Sequence, residues 1–451
     1  MSSPITIVWL RDDLRVADNP ALLAASERGG SVVVVYLLDD TSRGIRPLGS
    51  ASRWWLHHSL TSLARSLEAL GSRLILRRGE AATEIPRLVD ETGADAVYWN
   101  RRYSAAREID AGLKTTLRER GLEVKSFQAS LLFEPWTVTT AEGNPYRVFT
   151  PFWNACLQRA DPRLPLDAPA GLTAPDAGLA SDALEEWTLL PTAPDWAGGL
   201  RERWVPGEAS ASDALERFAT RVLADYHRRD EPAHDATSHL SPHLRFGEIS
   251  PFQVWHRLRG TLDAGARRNA AKFLSEIGWR EFNWNILYTF PELAQKNYRA
   301  QFDAFPWEQP RPEELEAWQQ GNTGIELVDA GMRELWATGY MHNRVRMVTA
   351  SFLIKNLLVD WRIGEQWFWD CLVDADEASN PGNWQWVAGS GADAAPYFRV
   401  FNPVLQASKF DPHREYVSQW LPDGELRPAP IVDLGASRKD ALAAYEVVKR
   451  A

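Results

Sequence analysis

Four stretches carry residue types at spacings that could do chemistry. In SEIGWREF (275–282), Glu276 and Trp279 lie three apart, so a helix presents both on one face. A carboxylate beside a large ring suits recognition of a flat polar ring, one group bonding its edge while the other stacks. The competing reading is an amphipathic helix with Trp279 in the core. In TSHLSPHLRFGEIS (237–250), Thr237, Ser238 and Ser241 offer hydroxyls near a helix start, where free backbone N–H groups favour anions. A phosphate-bearing cofactor fits there; for this segment alone, plain helix capping fits better. His239 and His243 are four apart and could share a helix face, but no His-Glu-x-x-His pattern accompanies them. They are read as non-ligand histidines, and no metal is expected. GYMHNRVRM (339–347) gathers His342, Asn343, Arg344, Arg346 and Met347 with no acid among them. That mixture suits a nucleic-acid contact or a solvated basic turn. In DADEASNPGNWQWVAGSGADAAPYFRVFNP (374–403), Asp374, Asp376 and Asn380 precede Trp384 and Trp386. Buried carboxylates need partners, which a cofactor rich in N–H groups would supply.

These stretches need elements to hold them. The apolar runs 5–10, 31–38, 73–78, 96–100 and 123–127 read as strands, separated by helical patterns near 19–28, 53–70, 81–92 and 104–120. Helices between short apolar strands predict a doubly wound α/β domain on a parallel sheet. Asp18 or Asn19 is positioned to cap the first helix, with Pro20 at its first position. No G-x-G-x-x-G follows the first strand and no P-loop occurs, so this domain by itself identifies no nucleotide site. Residues 161–210 hold seven prolines and little periodicity, yet Trp187, Trp196 and Trp204 suggest a connection that packs on the surface. From about 211 onward the patterns are helical. They include a capped helix in ASDALERFATRVLADYHRR, a Ser250–Pro251 start, and a single helix over NRVRMVTASFLIKNLLVDW. The predicted organisation is an N-terminal α/β domain (1–130), an interdomain linker (131–210) and a large all-α domain (211–451).

Composition sets the limits. The chain has 451 residues, 45% hydrophobic and 24% charged, which excludes disordered and collagen-like classes. Cys156 and Cys371 are the only cysteines, too few for a disulfide framework. No apolar run reaches the roughly 18 residues of a membrane span, and MSSPITIVWL lacks a signal-peptide layout, so a cytoplasmic location is expected. A net charge of −10 argues against a generally basic coat, although 241–300 holds nine Lys/Arg against five Asp/Glu. Tryptophan is the outlier: 21 in all, ten of them between Trp279 and Trp386.

The strings WLRDDLRVADNPAL (9–22), TSHLSPHLRFGEIS, SEIGWREF, TGIELVDAGMRELWATGYMHNRVRM (323–347), DWRIGE (360–365) and NWQWVAGSGADAAPYFRVFNP (383–403) together closely resemble the photolyase/cryptochrome flavoprotein family. Within it the chain is most similar to cyclobutane pyrimidine dimer photolyases. The resemblance implies FAD held in a U shape in the helical domain. It implies Thr237, Ser238, Leu240 and Ser241 on its phosphates, Tyr226, Arg280, Asp374 and Asp376 as further contacts, and Asn380 facing flavin N5. Asn at that place is the usual photolyase residue, where plant cryptochromes usually carry Asp. The implied dimer pocket has Glu276 bonding the damaged bases, Trp279 and Trp386 as stacking walls, Asn343 and Met347 as further lining, and Arg344 and Arg399 on phosphates. His342 followed by Asn343, rather than by a second histidine, favours cyclobutane over six-four dimers. Trp384, Trp361 and Trp307 match a chain passing electrons from the surface to photoexcited flavin. An antenna pigment, methenyltetrahydrofolate or a deazaflavin, is expected at the domain interface; NRRYSAAREID (100–110) lacks the Asn-Glu pair of some folate-binding members. The implied activity is light-driven repair of dimer-bearing DNA by a monomer. The alternatives are a cryptochrome-type photoreceptor and a flavin-free DNA-binding module.

Overall fold

The computed structural model describes residues 3–174, 178–260, 264–394, 398–422, 424 and 426–450. Residues 395–397, inside the last family-like string, lie outside the described residues. Five strands, β1 (Ile5–Leu10), β2 (Ser31–Leu38), β3 (Leu74–Arg78), β4 (Ala96–Asn100) and β5 (Glu123–Phe127), form one parallel sheet in the order β3-β2-β1-β4-β5. Side chains alternate between faces, so each continuous apolar run feeds two cores. Val8, Leu10, Val34 and Tyr36 pack against Trp54, Trp55 and Leu60 on one side; Ile7, Trp9, Val33 and Val35 pack against Ile85, Leu88 and Leu113 on the other. Asn19 caps Pro20–Arg28, its side chain accepting from Leu22 N–H at 3.2 Å. Asp18 instead accepts from Leu166 N–H at 2.9 Å and pairs with Arg163.

The segment 131–210 is shared between the two halves. The helix Phe149–Leu157 places Phe149, Phe152, Trp153 and Cys156 in the core of the helical half. Trp187 and Trp204, both buried, close the first core of the sheet, with Trp196 packed against it. The helical half is built from Pro251–Arg259, Ala264–Thr289, Glu326–Thr338, Asn343–Ser351, Trp361–Cys371, Ser379–Ala388, Leu434–Arg450 and shorter pieces. The expected α/β plus all-helical architecture is therefore the observed one.

Two helical expectations are corrected. The helix expected with a capped start near 211 runs Glu208–Arg217 and has no side-chain cap. The Glu208 carboxylate is taken by Val16 and Ala17 N–H, both at 2.8 Å, and Ser210 bonds back to Gly207 O. It then widens into a π turn (Phe218–Val222) and tightens into a 3₁₀ segment (Leu223–Arg228). The 19-residue run from Asn343 is not one helix either. It ends in a π turn, Phe352–Asn356, and restarts at Trp361, where Asp360 accepts from Arg362 N–H at 3.0 Å.

The two halves meet backbone to backbone. A Cβ on Gly49 would lie 2.0 Å from the Trp369 carbonyl oxygen, so only glycine lets the segment before Ser50–Ala69 seat on Trp361–Cys371. Among the described residues no helix is long and apolar enough to cross a membrane.

Candidate active site

Ser379–Ala388 is the central element. Asp376 opens it, its Oδ1 accepting from the N–H groups of Ala378 and Ser379 at 2.8 and 2.6 Å. One residue in sits Asn380, 8% exposed. Its Nδ2 donates to the Glu365 carboxylate at 2.8 Å and to the Glu365 backbone oxygen at 3.0 Å. Both partners only accept, so the amide orientation follows: Oδ1 is the atom turned away from Glu365. Glu365, 2% exposed, is held in turn by Arg46 through two bonds of 2.7 and 2.8 Å.

Asp374 is occupied by protein. Arg346 grips it at 3.0 and 2.9 Å and Ser241 Oγ donates to it at 2.7 Å. Burial pulls the Arg346 guanidinium down, but the adjacent carboxylate of Asp374 outweighs it and holds the group more firmly charged. Ser241 therefore does not cap its short helix. Ser238 Oγ accepts from Leu240 N–H at 3.3 Å, Thr237 Oγ1 lies 3.4 Å from His239 Nε2, and Leu240 is fully buried. His239 and His243 do not share a helix face, because the helix begins only at Ser241; they bond to Asp235 and Glu248 respectively. Tyr226 is wedged edge-on between Phe218 and Phe273, and burial pushes its hydroxyl well up. Arg280 donates to Ser130 O at 2.7 Å.

This donor set suits FAD. The hydroxyls of Thr237 and Ser238 and the guanidinium of Arg280 are donors suited to phosphate oxygens. Asn380 Oδ1 and the second oxygen of Asp376 are acceptors suited to ring N–H groups.

On the Ala264–Thr289 helix, Glu276 is half-buried, 3.1 Å from Lys272 Nζ and 3.9 Å from Arg229. Arg229 lies over the Tyr226 ring, and its backbone oxygen bonds His342 Nε2 at 2.9 Å, so these residues share one neighbourhood. Trp279 stacks face to face on Phe149, centroids 3.9 Å apart and planes 9° apart. One of its faces is thus committed to packing. Trp386 is half-buried and donates from Nε1 to Asp393 O at 3.2 Å. Asn343 is exposed and Met347 half-buried. Arg344 pairs with Asp230 at 2.9 Å and lies over Phe410, so part of its charge is already answered. Arg399 is exposed, and its backbone oxygen accepts from buried Lys355.

His342, 5% exposed, links these parts: Nδ1 accepts from Arg344 N–H at 3.2 Å while Nε2 donates to Arg229 O. Only the neutral ring makes both bonds. Burial lowers its pKa from 6.5 to about 4. The folded state then binds fewer protons than the unfolded chain, so stability present above pH 6.5 is lost as pH falls toward 4. The expected loss is up to about 1.4 kcal/mol per pH unit. Urea titrations across that window should show a shallower decline for His342→Gln than for the wild type; parallel profiles would contradict the assignment.

The three tryptophans matched to an electron path, Trp384, Trp361 and Trp307, pack into or against one hydrophobic core. Trp384 is one turn beyond Asn380, on the same helix face. Its ring sits on Gly364, where a Cβ would lie 2.2 Å from it, and packs edge-on to Phe368. Trp361, fully buried, is one turn before Gly364 and donates from Nε1 to Asn297 at 2.9 Å. Trp307, half-buried, packs against the same core, and the next residue, Glu308, donates its N–H to Leu358 O at 3.0 Å. Gly364→Val should push Trp384 off its seat, costing about 1–3 kcal/mol, and slow light-driven flavin reduction. A melting curve and an illumination time course check both; normal photoreduction would show that the seat of Trp384 is irrelevant.

Between the two halves lies a cleft of about 1250 Å³, counting its open mouth, lined by Arg11, Asp12, Asn100, Arg102, Arg245 and Glu377 among others. It lies beyond the C-terminal ends of β1, β2 and β4, where the strand order reverses, the usual ligand position in such sheets. Arg280 and Asp376 border it too. Arg11 Nη1 and Trp9 Nε1 are buried there without a hydrogen-bond partner among the described residues. Burial lowers the Arg11 pKa to about 10, opposed by Asp110. On the other side of Trp361–Cys371, Trp336 (60% exposed) stacks on Trp367, centroids 6.2 Å and planes 7° apart.

Reading the residues alone missed the partners. Arg346 and Glu365 stand inside quoted motifs, but no local pattern ties them to Asp374 and Asn380. Arg46 sits in an ordinary loop with no signal at all.

Comparison with known proteins agrees with this geometry. Residues 6–170 match the DNA photolyase family model, and 273–428 match the FAD binding domain of DNA photolyase. The chain is 50% identical to a deoxyribodipyrimidine photo-lyase of Agrobacterium fabrum, over 98% of each chain. It is 39% identical to Cryptochrome-2 of Arabidopsis thaliana, over 93% of this chain and 70% of that one. Its structure is similar to that of a bacterial class III photolyase from Agrobacterium tumefaciens, with a TM-score of 0.95 and 48% identity, covering all of this chain and 98% of the other. The chain belongs to the photolyase/cryptochrome family of FAD-binding proteins.

Proposed function

We propose that the protein is a light-driven DNA-repair enzyme of the class III photolyase type that splits cyclobutane pyrimidine dimers. FAD bound in its reduced form would supply the light-driven electron-transfer chemistry. The chain supplies position and electrostatics. Enzymes that act on a base take it out of the stack, at a few kcal/mol and less for a damaged pair. Glu276 bonds the edge of the flipped bases, Trp279 and Trp386 flank them, and Asn343 and Met347 complete the lining. Arg344 and Arg399 face phosphates. Thr237, Ser238, Leu240, Ser241, Tyr226 and Arg280 hold the cofactor, and the Arg346–Asp374 pair sits against it. Trp307, Trp361 and Trp384 carry electrons inward. The cleft between the halves takes a second, light-harvesting pigment, methenyltetrahydrofolate or a deazaflavin. The protein acts as a monomer.

The observation that best supports this reading is the Asn380 amide one turn before Trp384, with Oδ1 directed away from Glu365. A carbonyl oxygen there would accept a hydrogen on flavin N5, which oxidised flavin lacks. Asn380→Asp tests it. A carboxylate beside N5 disfavours further negative charge, so under illumination the variant should stop short of full reduction while the wild type reaches it. Identical spectra would remove Asn380 from the flavin. The cryptochrome reading draws on the 39%-identical Arabidopsis relative and requires light-driven spectral change without repair. A flavin-free module would be colourless and would not take up FAD.

A further inference from the structure

We propose that Arg46, a residue of the α/β half, is a positioning residue for the flavin. By keeping Glu365 an anion, it fixes the direction of the Asn380 amide and biases bound FAD toward its reduced form. The proposal rests on the reading of Asn380 as the N5-facing residue.

The chain of contacts is short: Glu365 and Asn380 are buried and Arg46 is half-buried. Arg46 meets both Glu365 oxygens, at 2.7 and 2.8 Å, and its Nη2 also reaches Gln366 at 3.2 Å. Glu365 Oε1 and the Glu365 backbone oxygen receive the two hydrogens of Asn380 Nδ2. Paired acceptors force the NH₂ group toward Glu365. A protonated Glu365 would be a donor and could bond Asn380 Oδ1, reversing the amide. A buried carboxylate stripped of its counter-charge tends to neutralise, which leaves only the Glu365 backbone oxygen, at 3.0 Å, holding the NH₂ group in this direction.

Arg46 is itself held fast. Its guanidinium lies 3.9 Å from the centroid of the Trp369 ring, and Trp369 Nε1 donates to Pro47 O at 2.9 Å. Gly49 lies on the Trp369 carbonyl, and Ser50 donates both N–H and Oγ to Asp370 at 2.8 Å. Residues 46–50 are thus docked on Trp361–Cys371, the helix that carries Glu365. Arg46 also lines the cleft between the halves.

Chemistry sets the direction of the effect. Reduced flavin has a hydrogen on N5, which Asn380 Oδ1 accepts. Oxidised flavin has a bare N5, which a reversed amide would donate to. Dye-coupled reduction titrations of the holoprotein, with FAD content and Tm recorded, test this. Arg46→Met should shift the equilibrium about tenfold toward oxidised flavin, about 30 mV for a two-electron couple. Arg46→Lys should recover most of that. Asn380→Ala should move the potential as well, and Arg46→Met added to it should move it no further, since the two act in one series. A normal potential in Arg46→Met, beside a shifted one in Asn380→Ala, overturns the role of Arg46 and leaves Asn380 in place. An unmoved potential in Asn380→Ala overturns the N5 reading and the proposal with it. If Arg46→Met does not retain FAD, Glu365→Gln takes its place: its amide can donate to Asn380 Oδ1, so the same shift is expected and an unchanged potential is fatal.

Discussion

Light-driven reduction of oxidised FAD should be abolished in Trp384→Phe, while repair by enzyme reduced chemically beforehand should survive. Trp384 stands one helical turn from Asn380, seated on Gly364 one turn beyond Trp361, and is proposed as the first hop to the flavin. Phenylalanine fills most of its seat against Phe368 and Gly364, so the fold should persist. What is lost is an oxidisable ring at the place proposed to lie beside the cofactor. Illumination of the oxidised variant with an external reductant, followed by absorbance, checks the first half; a repair assay after chemical reduction checks the second. Undiminished photoreduction would show that electrons enter by another route.

The second large effect concerns DNA. Base–aromatic stacking contributes about 1–3 kcal/mol per base, so Trp386→Ala should weaken binding of dimer-bearing DNA roughly tenfold or more. Binding of undamaged DNA, which rests on phosphates, should barely move. Trp279→Ala should do the same at a greater stability cost, because Trp279 also stacks on Phe149 at 3.9 Å. A fully buried tryptophan would cost about 3–5 kcal/mol on truncation; Trp279 is half-buried, so a smaller loss is expected. Arg344→Ala should act oppositely, weakening both DNAs alike and lowering the salt slope by about one. Its pairing with Asp230 at 2.9 Å should blunt that change. Paired titrations with and without the dimer, beside melting curves, decide these points. Equal losses on both DNAs for Trp279→Ala, together with a collapsed Tm, would return that residue to the core.

Much of the fold was legible because its signals are local. The runs ITIVWL, SVVVVYLL and AVYWN coincide with β1, β2 and β4, since a buried parallel strand must be apolar on both faces. The pair Asp18/Asn19, of which Asn19 is the cap, and Ser250 marked helix starts because capping is a matter of a few adjacent residues. The break at Phe352–Asn356 was not legible, because tertiary packing against Leu434–Arg450 sustains it: Asn356 Nδ2 donates to Ser437 at 2.8 Å. The shared linker was half legible. Its tryptophans announced packing, but not that Phe149 and Trp204 would enter different cores. At the site, residue types pointed to Glu276, Asp374, Asn380 and the tryptophans. The long-range pairs Arg346–Asp374 and Arg46–Glu365 were hidden, the second spanning 319 residues. Ion pairs between distant segments leave no periodic trace in a single sequence.

The most direct measurement of the proposed activity is illumination of the reduced holoprotein with DNA carrying a defined cyclobutane thymine dimer, with the DNA then analysed for intact thymines. Restoration of both thymines in the light, and none in the dark or with Glu276→Ala at limiting enzyme, is the expected result. Dimers that persist through illumination, in a protein that binds FAD and reduces it normally, would contradict it.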